Sequence, residues 1–273
     1  MKTINLWDDN FAHLTCSIHG KTAKEIIYSR NNLVWDDITI FTDSKIFDGT
    51  VDRVQSPIKI AWLMEPPAIS PGNYSNIHNV INKFNLILTC DEGLIKSYPG
   101  KEIMTPAGGV WINDWHPYKL NEEGIRPISI IYSGKSLTEG HRLRPTMASH
   151  PDVEKFGAGA GRHIATKEEG LIPYLFHIAI ENSKINNYFS EKLLDCFATS
   201  TIPIYWGCPN IGEFFNTDGM IIFNNPQEVN IDDILLHANE IYESKKEAIK
   251  DNYERVKKFE VTDDWIYKTY LEK

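Results

Sequence analysis

The chain has 273 residues, of which 42% are hydrophobic, 11% aromatic and 24% charged, a balance that builds packed cores and excludes disorder. With 28 basic against 37 acidic residues the formal charge is −9, the wrong sign for a nucleic-acid surface and better suited to a neutral or cationic partner. Four cysteines without a Cys-x-x-Cys pair exclude a zinc cluster, and no apolar run approaches the ~20 residues of a membrane span. In chain order, strands are expected at 4–7, 38–41, 58–64 and 86–89, with helices at 23–29 and 77–83 between them. The second half repeats the alternation. A strand at 128–132 precedes a helix at 138–149, and a strand at 176–180 precedes a helix at 191–199. Strands at 202–205 and 220–223 follow, and then a long amphipathic helix over 231–246. Strands alternating with helices predict parallel sheets with crossover helices.

Residues 115–124, Trp-His-Pro-Tyr-Lys-Leu-Asn-Glu-Glu-Gly, are turn-rich and separate the two alternating halves. The expected organisation is α/β, with two facing Rossmann-like domains and a cleft between them. The first domain covers 1–120 and the second 125–250, and a helical segment over 251–273 packs back across both. Cys90 and Cys196 sit in apolar runs and read as small buried hydrophobes, so a reducing compartment is the simpler expectation. The first nine residues are too short and too acidic for a signal peptide, which makes the expected location cytoplasmic.

The residues richest in chemistry follow the strand at 176–180. Glu181, Asn182 and Ser183 close an apolar run, a polar loop follows, and Ser190-Glu191-Lys192 open a helix. Ligands in open α/β sheets bind at such strand ends, and a helix start there offers unpaired N–H groups to an anion. Ser190 reads as the N-cap. Lys192 in a first turn is opposed by the helix dipole, which points to an anion beside it. Glu191 can accept from ribose hydroxyls, although an ordinary surface pair has the same appearance. Asn182 can fix a ligand's polar edge or simply turn the chain.

Ser133-Gly134-Lys135-Ser136 form a small-residue loop before Gly140-His141-Arg142-Leu143-Arg144. Arg142 and Arg144 are two apart and point in different directions, so one of them faces the ligand. An arginine fork binds two phosphate oxygens at once. Glu65 ends the strand at 58–64 and precedes Pro66 and Pro67, which stiffen its turn. A carboxylate so placed suits a general base or a plain solvated turn. The acidic pairs lack Asp-x-Asp or EF-hand spacing, so no metal site is expected. The nine histidines show no zinc motif, and no serine sits in a Gly-x-Ser-x-Gly elbow.

Glu181-Asn182-Ser183 followed by Asn187-Tyr188-Phe189-Ser190-Glu191-Lys192-Leu193 closely resembles the signature of glycosyltransferase family 10, the α-1,3/4-fucosyltransferases. Thr201 to Gly207 resembles the strand after that signature. The resemblance runs over 128–223, and more weakly through Glu65-Pro66-Pro67 and Gly108-Gly109-Val110-Trp111. It implies a GT-B fold, an inverting mechanism and GDP-β-L-fucose as donor, with an oligosaccharide or glycoconjugate acceptor. By position it implies Glu65 as general base. Arg144, or else Arg142, and Lys192 would neutralise the diphosphate. Asn182, Tyr188 and Glu191 match the donor-binding signature, with Glu191 on the ribose; Ser183 and Ser190 of the same stretch, and Ser133 and Lys135 of the small-residue loop, are expected to complete the donor site. Fixed cations make a divalent metal unnecessary, and no cofactor is expected. Asn187 stands for the usual Asp, Phe189 for an aliphatic residue, Ser190 for Thr, and Pro66 for the Ser after the base. A bacterial enzyme, or one acting in a virus-infected host cell, is implied, touching membranes only through its acceptor. Another GDP-sugar donor, a non-catalytic sugar-nucleotide or glycan-binding module, and a two-domain solute-binding protein are the competing readings.

Overall fold

The computed structural model describes residues 1–9, 11, 15–106, 108–119 and 124–272. The chain forms two units: one of Met1–Gly109, Asn186–Tyr188 and Val261–Lys273, the other of Val110–Ile185 and Phe189–Glu260.

The first unit is built on β1 (Lys2–Trp7), β2 (Ile26–Arg30), β3 (Ile38–Thr42), β4 (Ile58–Trp62), β5 (Leu86–Thr89) and β6 (Glu102–Met104). They form one sheet in the order β2-β1-β3-β4-β5-β6, and every pairing is parallel. The helices α1 (Thr50–Arg53), α2 (Pro71–Val80) and α3 (Glu92–Ser97) lie in the crossovers. Consecutive strand residues enter opposite cores: Ile40 and Ile60 pack with Ile4, Leu6 and Leu88, whereas Phe41 and Ala61 pack with Leu63, Ile77 and Phe84. Burial on both faces is why these strands read as unbroken apolar runs.

Residues 23–29, expected as a helix, contribute instead to strand β2. Ala23, Lys24 and Glu25 favour a helix, but Ile26 to Arg30 pair in parallel with Lys2 to Leu6. Ile26 is buried and Ile27 half exposed, the two-residue alternation of an edge strand. Sheet pairing overrides local propensity here. The helix expected at 77–83 begins earlier, with Pro71 in its first turn, and ends as a 3₁₀ turn over Ile81–Lys83.

The second unit contains β7 (Arg126–Ile131), α4 (Glu139–Ala148), β8 (Glu154–Phe156), β9 (Tyr174–Ile180), α5 (Glu191–Ala198), β10 (Ile202–Trp206) and β11 (Ile221–Ile222). Its sheet runs β11-β10-β9-β7-β8 and is also wholly parallel. The helix expected over 231–246 is broken into α6 (Ile231–Leu236) and α7 (Ala238–Ser244), and a third piece, α8 (Lys246–Val256), starts where that span ends. The breaks fall at His237 and Lys245, whose ψ angles of 21° and 2° leave the helical region. At the first break the His237 ring nitrogen Nδ1 also approaches the Asp233 carbonyl, 3.1 Å away. Ile231, Ile234, Ala238, Tyr242 and Ile249, from all three pieces, share one core with β7, β9 and β10.

Lys119, in the turn-rich stretch, is fully buried. Its ammonium donates to the carbonyls of Leu171 and Tyr174 at 2.6 and 2.7 Å and to the Thr201 hydroxyl. Residues 120–123 of that stretch lie outside the described residues. After Glu260 the chain returns to the first unit as α9 (Thr262–Ile266) and a π-helical turn, Tyr267–Leu271. Val261 and Ile266 are buried in the first unit's core, with Trp265 and Tyr270 packed against it. The Asp263 carboxylate accepts from the Ser17 N–H, the Ser17 hydroxyl and the Tyr28 hydroxyl.

Candidate functional site

Chemistry gathers at the carboxyl ends of β7 and β9, where the second unit's strands hand over to α4 and α5. Thr138 caps α4, and Gly140 sits against the backbone that leaves β9. Its N–H donates to the Asn182 carbonyl at 3.2 Å, and a Cβ there would lie 1.7 Å from the Glu181 carbonyl oxygen. Only glycine permits this approach. One turn further on, Arg144 is buried. Its Nε and Nη2 donate to the Ile180 carbonyl at 3.1 and 2.7 Å, and Nη2 donates to Asn182 Oδ1 at 2.8 Å. Asn182 therefore holds an arginine. Arg142 is exposed, with Nη1 3.3 Å from the Ser136 carbonyl.

Glu181 locks the start of α5 to the end of β9. Its wholly buried carboxylate accepts from the Ser190 N–H at 2.9 Å and from the Ser190 hydroxyl at 2.6 Å. Burial pushes its pKa upward, against the pull of the Lys192 charge. Ser190 in turn caps the helix, accepting from Lys192 N at 3.4 Å. The Lys192 ammonium lies 3.2 Å from Ser190 Oγ and 3.0 Å from Glu191 Oε1.

A cavity of about 270 Å³ opens at this strand end, lined by Ser133, Arg144, Lys167, His177, Glu191 and Lys192 among others. Burial alone would raise the Glu191 pKa, but the Lys192 and Lys167 ammonium groups hold it well below the usual carboxylate range. Glu191 is thus an ionised acceptor in a cavity of cations. Lys167 stays protonated although burial disfavours its charge, because Asp195 and Glu191 outweigh that penalty. His177 is neutral: burial and the Lys167 and Lys119 charges push its pKa down to about 3. A second cavity of about 350 Å³ is lined by Tyr132, Ser133, Lys135, His141 and Arg142 among others. There burial, and then the Arg144 and Lys135 charges, push His141 down to about 4.

Of the residues singled out in the sequence, Ser133, Arg144, Glu191 and Lys192 meet in the first cavity, and Ser133, Lys135 and Arg142 in the second. Asn182 and Ser190 support these side chains from behind. The Ser183 hydroxyl is buried and makes no hydrogen bond. Tyr188 is buried and groups with the first unit. Glu65 also belongs to the first unit, where it is exposed on the turn after β4. The Tyr74 hydroxyl donates to the Glu65 carbonyl at 2.9 Å. Sequence reasoning missed Lys167, His177 and Asp195. The only signal was weak: Asp195 lies four residues beyond Glu191 and so on the same face of α5. Among the described residues no group of three or more His, Cys, Asp or Glu could hold a metal ion, and no helix is long and apolar enough to cross a membrane.

Residues 134–247 match the model of the family described as glycosyltransferase family 10 (fucosyltransferase), C-terminal. The chain is 36% identical over 61 residues to the α-(1,3)-fucosyltransferase FucT of Helicobacter pylori, covering 22% of this chain and 13% of that protein. It is 22% identical over 202 residues to the α-(1,3)-fucosyltransferase 7 of Mus musculus, covering 71% of this chain and 49% of that protein. The chain thus spans less than half the length of these curated relatives. A solved structure of an α1,3-fucosyltransferase with GDP superposes over all of this chain and 90% of its own, with a TM-score of 0.55 and 16% identity. At that identity the likeness shows the fold, two parallel-sheet α/β units of GT-B type.

Proposed function

We propose, from the match of residues 134–247 to the family described as glycosyltransferase family 10 (fucosyltransferase), C-terminal, that this protein transfers L-fucose from GDP-β-L-fucose to a hydroxyl of an acceptor glycan. The linkage is α-1,3 or α-1,4, formed with inversion. The observation that carries this reading is the cavity at the carboxyl end of β9. Arg144 and Lys192 supply cations for a diphosphate there, and an ionised Glu191 supplies acceptors for a sugar diol.

In this mechanism the Glu65 carboxylate takes the proton of the acceptor hydroxyl. The oxygen attacks the anomeric carbon on the face opposite the diphosphate, and the bond from that carbon to the diphosphate oxygen breaks. Charge builds on departing GDP, and Arg144, Lys192 and the first-turn N–H groups of α5 stabilise it. Each charge-assisted hydrogen bond contributes about 1.5–3 kcal/mol. With Arg144 and Lys192 supplying the positive charge, the reaction proceeds without a divalent metal or a cofactor.

The test is calorimetric titration with GDP-fucose, GDP-mannose, GDP and UDP-sugars in metal-free buffer, followed by transfer assays on glycan acceptors. Selective binding of GDP-fucose is expected. Equal binding of all guanine nucleotides would leave the transferase reading and remove fucose from it. Absence of guanine-nucleotide binding would sink the reading, and binding without turnover would turn the protein into a sugar-nucleotide-binding module.

A further inference from the structure

Glu191 meets two ammonium groups, and they are held very differently. Lys167 Nζ lies 3.4 Å from Glu191 Oε1 and 3.1 Å from Asp195 Oδ2, and 4.4 Å from the centre of the Trp111 ring. Asp195 is itself fixed: its Oδ1 accepts from the backbone N–H of Trp111 at 2.7 Å and of Ile112 at 3.4 Å. The turn that carries Lys167, Lys167–Gly170, is closed by Glu169, whose Oε1 accepts from the N–H groups of Ala165 and Thr166. Glu168 ties the same turn to Asn113, whose N–H lies 2.7 Å from Oε1. Lys192, by contrast, reaches Glu191 from the adjacent position, and its ammonium also rests on the Ser190 hydroxyl.

We propose that Lys167 is the resident counter-ion of Glu191 and fixes its carboxylate for a ribose diol, while Lys192 leaves Glu191 for the diphosphate when nucleotide binds. This rests on the donor-site reading above. Moving Lys192 away would leave a buried carboxylate uncompensated if it were the sole partner, a costly state. Lys167, anchored by Asp195 and covered by Trp111, keeps Glu191 ionised and in place through that exchange. Lys167 is thus a positioning residue for ribose recognition. Trp111 belongs to the segment singled out in the sequence without a role. It serves here by its ring on Lys167 and its N–H on Asp195.

The experiment compares GDP with 2′,3′-dideoxy-GDP, which lacks the diol, by calorimetry on the full chain. The wild type is expected to prefer GDP by ~10- to 100-fold. Lys167→Met should bring that ratio to within about threefold, mainly by weakening GDP, and Lys167→Arg should restore it. Lys192→Met should weaken both nucleotides alike and keep the ratio. Lys167→Gln retains a hydrogen-bond donor for Asp195 without the charge, and it reads the same ratio should the Met variant misfold. A wild-type ratio in the Met or Gln variant overturns the inference, as does a wild type that binds both nucleotides equally. A wild type that binds neither overturns the donor reading itself.

Discussion

At the carboxyl end of the second sheet, Arg144, Glu181 and Asp195 are each at most 5% exposed, and each is bonded to backbone or to a partner side chain. At the carboxyl end of the first, Glu65 stands exposed between Met64 and two prolines, on a turn closed by Ile69 N–H and Ser70 N–H donating to the Pro66 carbonyl. Charge in the second unit is therefore part of the fold, and its removal unsatisfies a neighbour. Charge at Glu65 is carried by a turn whose shape depends on backbone bonds. Lesions at these buried charges of the second unit should mix binding with stability, whereas a lesion at the exposed Glu65 should fall mainly on transfer.

The sharpest way to break that contrast is Gly140→Ala. The new Cβ would strike the Glu181 carbonyl, so a loss of about 4 kcal/mol or more is expected, seen as loss of the cooperative thermal transition. A melting midpoint within about 2 °C of wild type, a shift worth under 1 kcal/mol, would mean that the two segments are not pressed together. Next, Glu65→Gln should lower transfer by ~10²- to 10⁴-fold while leaving the GDP Kd where it was. Turnover at the wild-type rate would remove Glu65 from the mechanism.

Buried histidines of the second unit tie its stability to pH. His141 and His177 are neutral when folded, with pKa values pushed down to about 4 and about 3 from 6.5. The unfolded chain binds protons first, so stability is complete above pH 6.5 and is lost as pH falls toward those values. The His141 depression alone amounts to about 3 kcal/mol over this window. Urea unfolding at pH 7, 6, 5 and 4 should show the decline, and His141→Asn should flatten part of it. An unchanged midpoint across the series would contradict a neutral buried pair. The smallest effect separates two arginines on one helix. Arg144→Met should cost about 2–3 kcal/mol by stranding the Ile180 carbonyl and Asn182 Oδ1, and Arg142→Met less than about 0.5 kcal/mol. Equal costs would erase the distinction between buried and exposed charge on α4.

The parallel sheets were legible because burial on both faces writes uninterrupted apolar runs, as in Ile38 to Phe41 and Phe176 to Ile180. The short strands β6 and β8 were not: Glu102–Met104 and Glu154–Phe156 have three residues each and begin with a charge. Strand β2 was misread because Ala23-Lys24-Glu25 speak for a helix, and its partner strand lies about twenty residues upstream. In the site, Ser190 and Lys192 stood out because a cap and a misplaced cation break local rules. Lys167 broke none. Its significance arises where its turn meets α5 and Trp111, a juxtaposition made by tertiary structure alone. Spacing divided Arg142 from Arg144 in direction, but the hydrogen bonds that hold Arg144 inside depend on where β9 ends.

The return of residues 261–273 to the first unit has a consequence for synthesis. In the order of the chain, residues 110–260 are an insertion within the first unit, apart from the three residues Asn186–Tyr188. As the chain emerges from the ribosome, Val261 and Ile266, and the Asp263 clamp on Ser17 and Tyr28, arrive after the second unit. The core of the first unit is therefore completed only after residues 110–260 have been made, a departure from a simple N-terminal-first order of domain folding.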